Sequence, residues 1–253
     1  MTIRASIEHF HLLFCRHLLS GPDRADFAIK GGCNLRFFFG SIRYSEDLDL
    51  DVQRVPVRTL AGRVEKLLAS ATITSALKSR GISLASTSAP KQTETTQRWK
   101  ISLRVAGQST PVNTKVEFFR RRAVKGARVE RLDTQFEWEH QQHALLLPHY
   151  LVDEAIRQKV EALAGRPEVQ ARDVFDLSVL FSRSPSPATA LAPVAGLLAR
   201  AARRAVDLSW DEYAGQVVAF LDPGRAGALG EREGWEAIQL EVADVLERAR
   251  EGR

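Results

Sequence analysis

The sequence has few of the features that mark secreted, disulfide-stabilised or membrane proteins. Only two of its 253 residues are cysteines, Cys15 and Cys33, and they form no Cys-x-x-Cys pair. A disulfide framework or a zinc site is therefore not expected, and a reducing cytosol suits the chain. The N-terminus lacks a basic region followed by an apolar run, and no apolar run is long enough to cross a bilayer. We expect a cytoplasmic protein that does not associate with a membrane.

The composition is that of an ordinary globular protein, with 44% hydrophobic and 26% charged residues. The length allows two modest domains or one large domain. Strand and helix patterns alternate as far as Pro148, whereas only helical patterns follow it. The sequence therefore predicts an α+β protein. An N-terminal α/β domain with a mixed sheet covers residues 1–148, and a helical C-terminal domain covers residues 149–253.

Hydrophobic periodicity predicts the individual elements. Predicted helices of the first domain cover residues 5–19, 34–39 and 56–80. Predicted strands cover residues 27–30, 47–52, 83–88, 99–105, 112–119, 128–132 and 143–147, with a polar hairpin loop at 89–97. Predicted helices of the second domain cover residues 150–164, 170–182, 187–206, 209–221 and 234–251.

The formal charge is +5, and much of the excess is arginine in two clusters. The clusters consist of Arg120, Arg121, Arg122, Lys125, Arg128 and Arg131, and of Arg200, Arg203 and Arg204. Basic clusters of this kind suit a polyanion such as nucleic acid. The alternative is a solvated surface in an arginine-rich protein.

One predicted strand carries a row of carboxylates. Asp47, Asp49 and Asp51 alternate with apolar residues, so all three lie on one face. Such a row is tolerated if it faces water or if a cation neutralises it. Hard oxygen ligands suit magnesium, which prefers one or two carboxylates together with substrate phosphates. An exposed strand with a polar face remains the alternative when the strand is considered alone.

A glycine pair precedes this strand. Gly31 and Gly32 follow a short apolar strand and precede a predicted helix. Glycines let the backbone approach a phosphate closely, and the amides at a helix N-terminus favour an anion. The glycine turn would therefore bind phosphate while the acidic strand binds the metal.

The run KGGCNLRFFFGSIRYSEDLDLD, residues 30–51, resembles the first motif of the AbiEii/AbiGii toxin family of nucleotidyltransferases. That family includes the mycobacterial MenT toxins and belongs to the polymerase-β-like nucleotidyltransferase superfamily. The resemblance implies that Asp47 and Asp49 are catalytic and hold Mg²⁺, with Asp51 outside the usual pair. The positions that it assigns to nucleotide binding are Lys30, Gly31, Gly32, Arg43 and Ser45, with Arg36 as a further helper.

Later segments are similar to further family motifs. Glu117 lies in a strand similar to the family's Lys-x-Glu strand, where it would complete the metal site or act as general base. It is otherwise a strand residue paired with Lys115 or a nearby arginine. Lys159 and Asp173 match the late lysine and the Arg-Asp-x-x-Asp-Leu motif. The resemblance implies that Lys159 neutralises the triphosphate, that Asp173 orients Lys159 or contacts the nucleotide, and that the helical domain completes the active site. Asp176 would pair with Arg172 or Lys159.

The resemblance implies the toxin of a toxin–antitoxin system. Such an enzyme transfers a nucleoside monophosphate from an NTP to the 3′ end of tRNA, which blocks translation, and a separately encoded antitoxin restrains it. A second hypothesis keeps the site and changes the acceptor to a hydroxyl of a protein or small molecule. A third is a non-catalytic NTP- or RNA-binding module.

Overall fold

The computed structural model describes residues 2–120, 123–141 and 144–252. The chain forms two compact units. The first comprises residues 1–34 and 45–150, and the second comprises residues 35–44 and 151–253. The division at residue 148 placed residues 35–44 in the N-terminal domain, but they pack in the second unit, where Leu35 is buried in the helical core. The α+β class with a mixed sheet is confirmed.

The first unit is built on a seven-stranded sheet with the order β3-β4-β5-β2-β1-β7-β6. The strands are β1 (Phe27–Lys30), β2 (Asp47–Val52), β3 (Ile82–Gln92), β4 (Thr96–Val105), β5 (Val112–Phe119), β6 (Ala127–Arg131) and β7 (Leu146–Tyr150). β2 pairs with β5 and β1 with β7 in parallel, whereas the other neighbours are antiparallel. The acidic strand β2 is therefore central and has a partner on each side.

Helices of the first unit pack on the sheet. They are α1 (Ile3–Leu18), α3 (Val57–Leu68), α4 (Ala71–Lys78) and α5 (Thr134–Glu139). Phe10 and Phe14 of α1 are fully buried, as is Phe118 of β5, and Trp99 of β4 is nearly so. The Trp99 and Phe118 rings meet edge to face with centroids 5.7 Å apart. The apolar residues of β4 and β5 thus form the core, which leaves their polar residues on the opposite face.

The second unit is helical. Its helices are α6 (Val152–Gly165), α7 (Ala171–Arg183), α8 (Pro187–Leu191), α9 (Ala195–Val206), α10 (Trp210–Gln216) and α11 (Arg232–Arg250). The rings of Tyr213 and Trp235 stack in its core with centroids 4.3 Å apart. Phe175 of α7 packs against Tyr213 in the same core. Helix α2 (Gly31–Phe38) begins in the first unit and ends in the second.

Several predicted boundaries are wrong for local reasons. The predicted helix 56–80 is two helices, because the Ser70 side chain accepts a hydrogen bond from the amide of Ile73 and caps a new helix there. The predicted helix 187–206 is interrupted by a 3₁₀ turn at Ala192–Val194, which contains Pro193. The predicted loop 89–97 shrinks to residues 93–95, since both flanking strands extend into it.

Two further predictions differ from the structure at their ends. The predicted helix 209–221 ends at Gln216 and is followed by a 3₁₀ turn. The predicted strand 143–147 is shifted to Leu146–Tyr150, and its first residue, His143, lies outside the described residues. No described helix is long and apolar enough to cross a membrane.

Candidate active site

The turn from β1 into α2 brings backbone close to the acidic strand. Helix α2 begins at Gly31 rather than at Asn34 as predicted, because Gly31 makes the turn alone with a φ of +64°. A Cβ atom on Gly31 would lie only 3.3 Å from the Oδ2 atom of Asp49. Gly32 follows in the first helical turn. The glycines therefore let a helix N-terminus start beside a carboxylate.

Asp49 lies at the centre of a cluster of carboxylates. It pairs in register with Lys30 on one side and with Glu117 on the other. Its Oδ1 atom is buried and has no hydrogen-bond partner among the described residues. Burial, together with the negative charges of Glu117 and Asp47, raises the pKa of Asp49 to about 6. The positive charges of Lys30 and Lys115 act in the opposite direction but only partly offset this effect.

Cationic side chains contact the neighbouring carboxylates, Asp47 and Glu117. Arg98 Nε lies 2.5 Å from Glu117 Oε1, and Lys115 Nζ lies 3.4 Å from Glu117 Oε2. Lys115 Nζ also lies 3.0 Å from Asp47 Oδ2. The carboxylates of Asp47 and Glu117 raise the pKa of Lys115 against the effect of its partial burial. Glu117 is thus paired with Lys115 and an arginine, which is one of the alternatives given for it. It also lies beside Asp49, which is compatible with the other alternative, a role at the metal site.

Asp51 differs from the other two aspartates because both of its oxygens have partners. Lys30 Nζ lies 2.8 Å from Oδ1, and the Tyr150 hydroxyl donates to Oδ2 at 2.8 Å. The same ammonium lies 4.6 Å from the centre of the Phe119 ring. Asp51 is 2% exposed, so its role in the structure is to hold Lys30 beside Asp49. Asp47 and Asp49 are therefore the candidates for a metal pair, and Asp51 is not.

Hydrogen bonds from side chains to backbone carbonyl oxygens fix the start of β2. The carbonyl oxygen of Asp47 accepts from Ser45 Oγ at 3.0 Å and from Cys33 Sγ at 3.2 Å. Thr114 Oγ1 donates to the carbonyl oxygen of Glu46 at 2.6 Å. Ser45, predicted to place phosphates, therefore positions the backbone of Asp47 in this structure. These bonds hold the carboxylate strand in one conformation.

The second unit contains a buried ionic network. Lys159 Nζ lies 2.9 Å from Asp173 Oδ1 and 2.5 Å from Asp176 Oδ2. Arg43 bonds both oxygens of Asp176 through Nη2, at 3.0 and 3.1 Å, and Arg166 lies 3.2 Å from Asp173. Both aspartates are fully buried. Asp173 thus contacts Lys159, which is compatible with the first of the two roles given for it.

The charges in this network stabilise one another. The carboxylates of Asp173 and Asp176 raise the pKa of Lys159, although its burial acts in the opposite direction. Arg43 and Lys159 in turn lower the pKa of Asp176. The predicted pairing of Asp176 with Lys159 is present, and its other partner is Arg43 rather than Arg172. Arg43, predicted to bind nucleotide, is 6% exposed and engaged by Asp176.

A sequence model of the family described as nucleotidyl transferase AbiEii toxin, type IV toxin–antitoxin system, matches residues 12–248. The chain belongs to this family. It is therefore a member of a family of nucleotidyltransferase toxins from toxin–antitoxin systems, as the motif of residues 30–51 predicted. A comparison with curated protein sequences finds no match.

Solved structures share the fold of this AbiEii-family protein. A proposed nucleotidyltransferase from Helicobacter pylori is 20% identical with a TM-score of 0.67, covering 100% of this chain and 97% of its own. JHP933 from Helicobacter pylori is 18% identical with a TM-score of 0.66, and the coverage is 100% and 94%. MenT4, a nucleotidyltransferase toxin from Mycobacterium tuberculosis H37Rv, is 18% identical with a TM-score of 0.59, and the coverage is 96% and 82%.

The acidic strand of this AbiEii-family protein fits a hard divalent cation. Asp47 and Asp49 would hold it, since both offer carboxylate oxygens on one face and Asp49 Oδ1 is an unpartnered buried acceptor. No group of three or more His, Cys, Asp or Glu side chains within the described part of the chain is arranged to hold a metal unaided. Such a pair suits magnesium, which completes its coordination with water and substrate phosphates.

Sequence reasoning did not identify Arg98, or the contact of Lys115 with Asp47. The signal was available in the alternation of residues 98–105, which places Arg98 on the carboxylate face, but pairing of β4 with β5 was not deducible. The two basic clusters also hold arginines with internal partners. Arg120 bonds Val55 and Gln97, and Arg204 bonds three carbonyl oxygens near the end of α6. Arg121 and Arg122 lie outside the described residues.

Proposed function

We propose that this nucleotidyltransferase uses Mg²⁺ to transfer a nucleoside monophosphate from an NTP to the 3′ end of tRNA, and thereby blocks translation. The observation that carries the metal-dependent transfer is the buried, unpartnered Oδ1 atom of Asp49, which lies in a cluster with Asp47 and Glu117. Arg98 and Lys115 pair with Glu117 and Asp47, whereas the buried Asp49 Oδ1 has no partner among the described residues, and a cation bound there would offset the free-energy cost of its unpaired charge.

The chemistry is a displacement at the α-phosphorus of the NTP. The acceptor hydroxyl oxygen forms a bond to that phosphorus, the bond to the β-phosphate oxygen breaks, and pyrophosphate leaves. Magnesium, when bound, neutralises phosphate charge and favours deprotonation of the hydroxyl. Asp47 and Asp49 would hold the cation. Glu117, fixed by Arg98, takes the hydroxyl proton or supplies a further oxygen ligand.

The glycine turn has a separate task. Gly31 and Gly32 bring the first amides of α2 next to the carboxylate strand, so a triphosphate at that turn gains hydrogen bonds and the favourable end of the helix dipole. The proposed contribution of Lys159 in the second unit is to neutralise developing phosphate charge, with Asp173 orienting its ammonium.

The family description supports an antitoxin partner, and the charge of the chain supports a nucleic-acid acceptor. The family description assigns its members to toxin–antitoxin systems, which supports a separately encoded inhibitory partner. MenT4 is described as a nucleotidyltransferase toxin, which supports transfer from an NTP. The net charge of +5 is compatible with a nucleic-acid acceptor.

The decisive experiment is transfer of label. Purified protein is incubated with Mg²⁺, each α-labelled NTP in turn, and either total tRNA or total protein. Label in tRNA that periodate oxidation of the 3′ end prevents is the expected result. Label in protein would show that the acceptor is a protein hydroxyl and not tRNA. NTP binding without transfer would show that the protein is a binding module and not an enzyme.

Asp49→Asn is the matching variant. It keeps the side-chain shape, removes the carboxylate charge and should abolish transfer. Asp211→Asn, an exposed position at the start of α10, is the control with the same chemical change and should retain transfer. An Asp49→Asn protein that labels tRNA at the wild-type rate would sink the site assignment.

A further inference from the structure

The carboxylate face of the sheet becomes basic beyond β5. In β4 the buried residues alternate with the polar residues Arg98, Lys100, Ser102 and Arg104. Register then builds a row across four strands: Asp47 lies opposite Lys115, Lys115 opposite Lys100, and Lys100 opposite Ser88. At the usual spacing of strands this row spans about 14 Å.

A groove of about 530 Å³ lies along this row. Asp47 is at one end, and Ser88 and Lys100 are among the residues that line it. A second row in register, Asn113 and Ser102 and Ser86, supplies amide and hydroxyl groups to the same groove. The groove therefore combines hydrogen-bonding groups with positive charge, and one of its ends lies at Asp47, a proposed metal ligand.

Two basic side chains on this face make no ion pair with the described residues. Lys100 and Arg104 are exposed, and neither makes an ion pair within the described part of the chain. Arg98 and Lys115, in contrast, are used by Glu117 and Asp47. The charges of Lys100 and Arg104 are therefore available to a bound anion.

We propose that this groove binds the 3′-terminal strand of the RNA acceptor, with the terminal hydroxyl at Asp47 and backbone phosphates at Lys100 in the groove and at Arg104, farther along the same face of β4. The proposal rests on the proposed function and adds the surface that receives the acceptor. A polynucleotide end fits because its phosphates match the lysine and arginine, and its ribose hydroxyls match the serines and asparagine.

The chemistry of the groove also indicates how the strand is recognised. None of the described residues that line it is aromatic, so base stacking is not available there. Contacts to phosphate and ribose do not depend on base identity. The groove thus binds a strand end by its backbone, and any preference among RNAs arises elsewhere.

Kinetics with an RNA acceptor test the assignment. Lys100→Glu should raise the KM for RNA about tenfold or more while leaving kcat and the KM for NTP unchanged, because it repels phosphate without touching the carboxylates. Lys100→Ala should reduce the slope of log affinity against log salt by about 0.7. Lys66→Glu, an exposed charge reversal on α3, should behave as wild type.

A crosslink gives a readout that does not require transfer. Ser88→Cys carrying a photoreactive group should crosslink to the last nucleotides of a 3′-terminated RNA, because Ser88 is exposed and lines the groove. Ser75→Cys on the exposed surface of α4 is the control and should not. The native thiols of Cys15 and Cys33 are buried, so the reagent is directed to the new site.

The possible outcomes distinguish a failure of this inference from a failure of the proposed function. Wild-type protein that labels no RNA overturns both the RNA acceptor and the groove. If the wild type labels RNA, an unchanged KM for RNA in Lys100→Glu, or equal crosslinking from positions 88 and 75, overturns the groove alone. A selective rise in that KM with a crosslink from position 88 only supports it.

Discussion

The ammonium nitrogen of Lys115 lies 3.0 Å from a carboxylate oxygen of Asp47 and 3.4 Å from one of Glu117. It is a monovalent cation at the edge of a site whose carboxylates suit a divalent one. A metal that binds Asp47 must compete with this ion pair. Lys115 therefore lowers the affinity of the metal-free protein for divalent cations while it stabilises the carboxylates.

Replacing this lysine should strengthen metal binding. Lys115→Met removes the competing charge but keeps most of the side-chain volume, so the Kd for Mn²⁺, measured by electron paramagnetic resonance without NTP, should fall several-fold. Lys100→Met is the control and should leave the Kd near that of the wild type, since Lys100 lies on the same face and makes no ion pair with Asp47, Asp49 or Glu117. A Kd for Lys115→Met that equals or exceeds the wild-type value would refute the competition.

The turn at Gly31 should not accept a side chain. Gly31→Ala places an L-residue at a φ of +64° and a methyl group 3.3 Å from Asp49, so the free energy of unfolding should fall by about 1–2 kcal/mol. Gly62→Ala, in the interior of α3 with open space around its Cβ, should raise it by about 0.5–1 kcal/mol. Urea denaturation measures both, and equal effects of the two variants would contradict the close approach.

The network of the second unit should be expensive to break. Asp176→Asn leaves the buried Arg43 without its charged partner and Lys159 with Asp173 alone, which should cost about 3–5 kcal/mol in urea denaturation. Adding Arg43→Met should recover part of that loss, because it removes one unpaired cation. Asp244→Asn, whose partner Arg248 is exposed, should cost less than about 1 kcal/mol. A loss for Asp176→Asn as small as this control would show that the network is not a stabilising one.

Acid should destabilise the protein through His11. The imidazole is fully buried and Thr114, whose hydroxyl donates to Glu46, accepts from its Nε2 atom, so the folded state holds the neutral ring. Burial lowers the pKa of His11 to about 4, whereas the unfolded value is near 6.5. The unfolded chain thus binds more protons between these values, and stability falls by up to about 3 kcal/mol as the pH drops from 6.5 to 4.

His11→Gln provides the test of this dependence. A glutamine amide can donate to Thr114 but does not titrate, so the variant should lose less stability between pH 7 and pH 4 than the wild type. His17→Gln, at a half-buried position in the last turn of α1, should keep the wild-type pH dependence. Parallel stability curves for His11→Gln and the wild type would exclude His11 as the source.

The acidic strand and its glycine turn were predictable because both depend on local patterns. Period-two alternation places Asp47 and Asp49 on one face, and a glycine pair before a helix marks a close approach. The contact of Lys115 with Asp47 depends instead on β2 pairing in parallel with β5, across more than sixty residues of intervening chain. A single sequence does not encode that register in any local signal.

The helical half shows the same limit. Periodicity located the helices of the second unit to within a few residues, apart from the break at Pro193 and the early end of α10 at Gln216. It did not indicate that Arg43, in a short segment between an aromatic helix and the acidic strand, pairs with Asp176. The motif resemblance, not periodicity, indicated Lys159 and Asp173. Their mutual contact is now visible, and their part in transfer stays a prediction.

The assignment of residues 35–44 to the second unit has a consequence for synthesis on the ribosome. When residue 150 has emerged, every strand of the sheet has been made, but the ten residues between Asn34 and Ser45 still lack their packing partners. The core that buries Leu35 is formed by residues after 151, and the partner of Arg43 is Asp176, so neither contact can form until those residues have been made. The segment that joins the glycine turn to the acidic strand is therefore among the last parts of the nascent chain to find its native contacts.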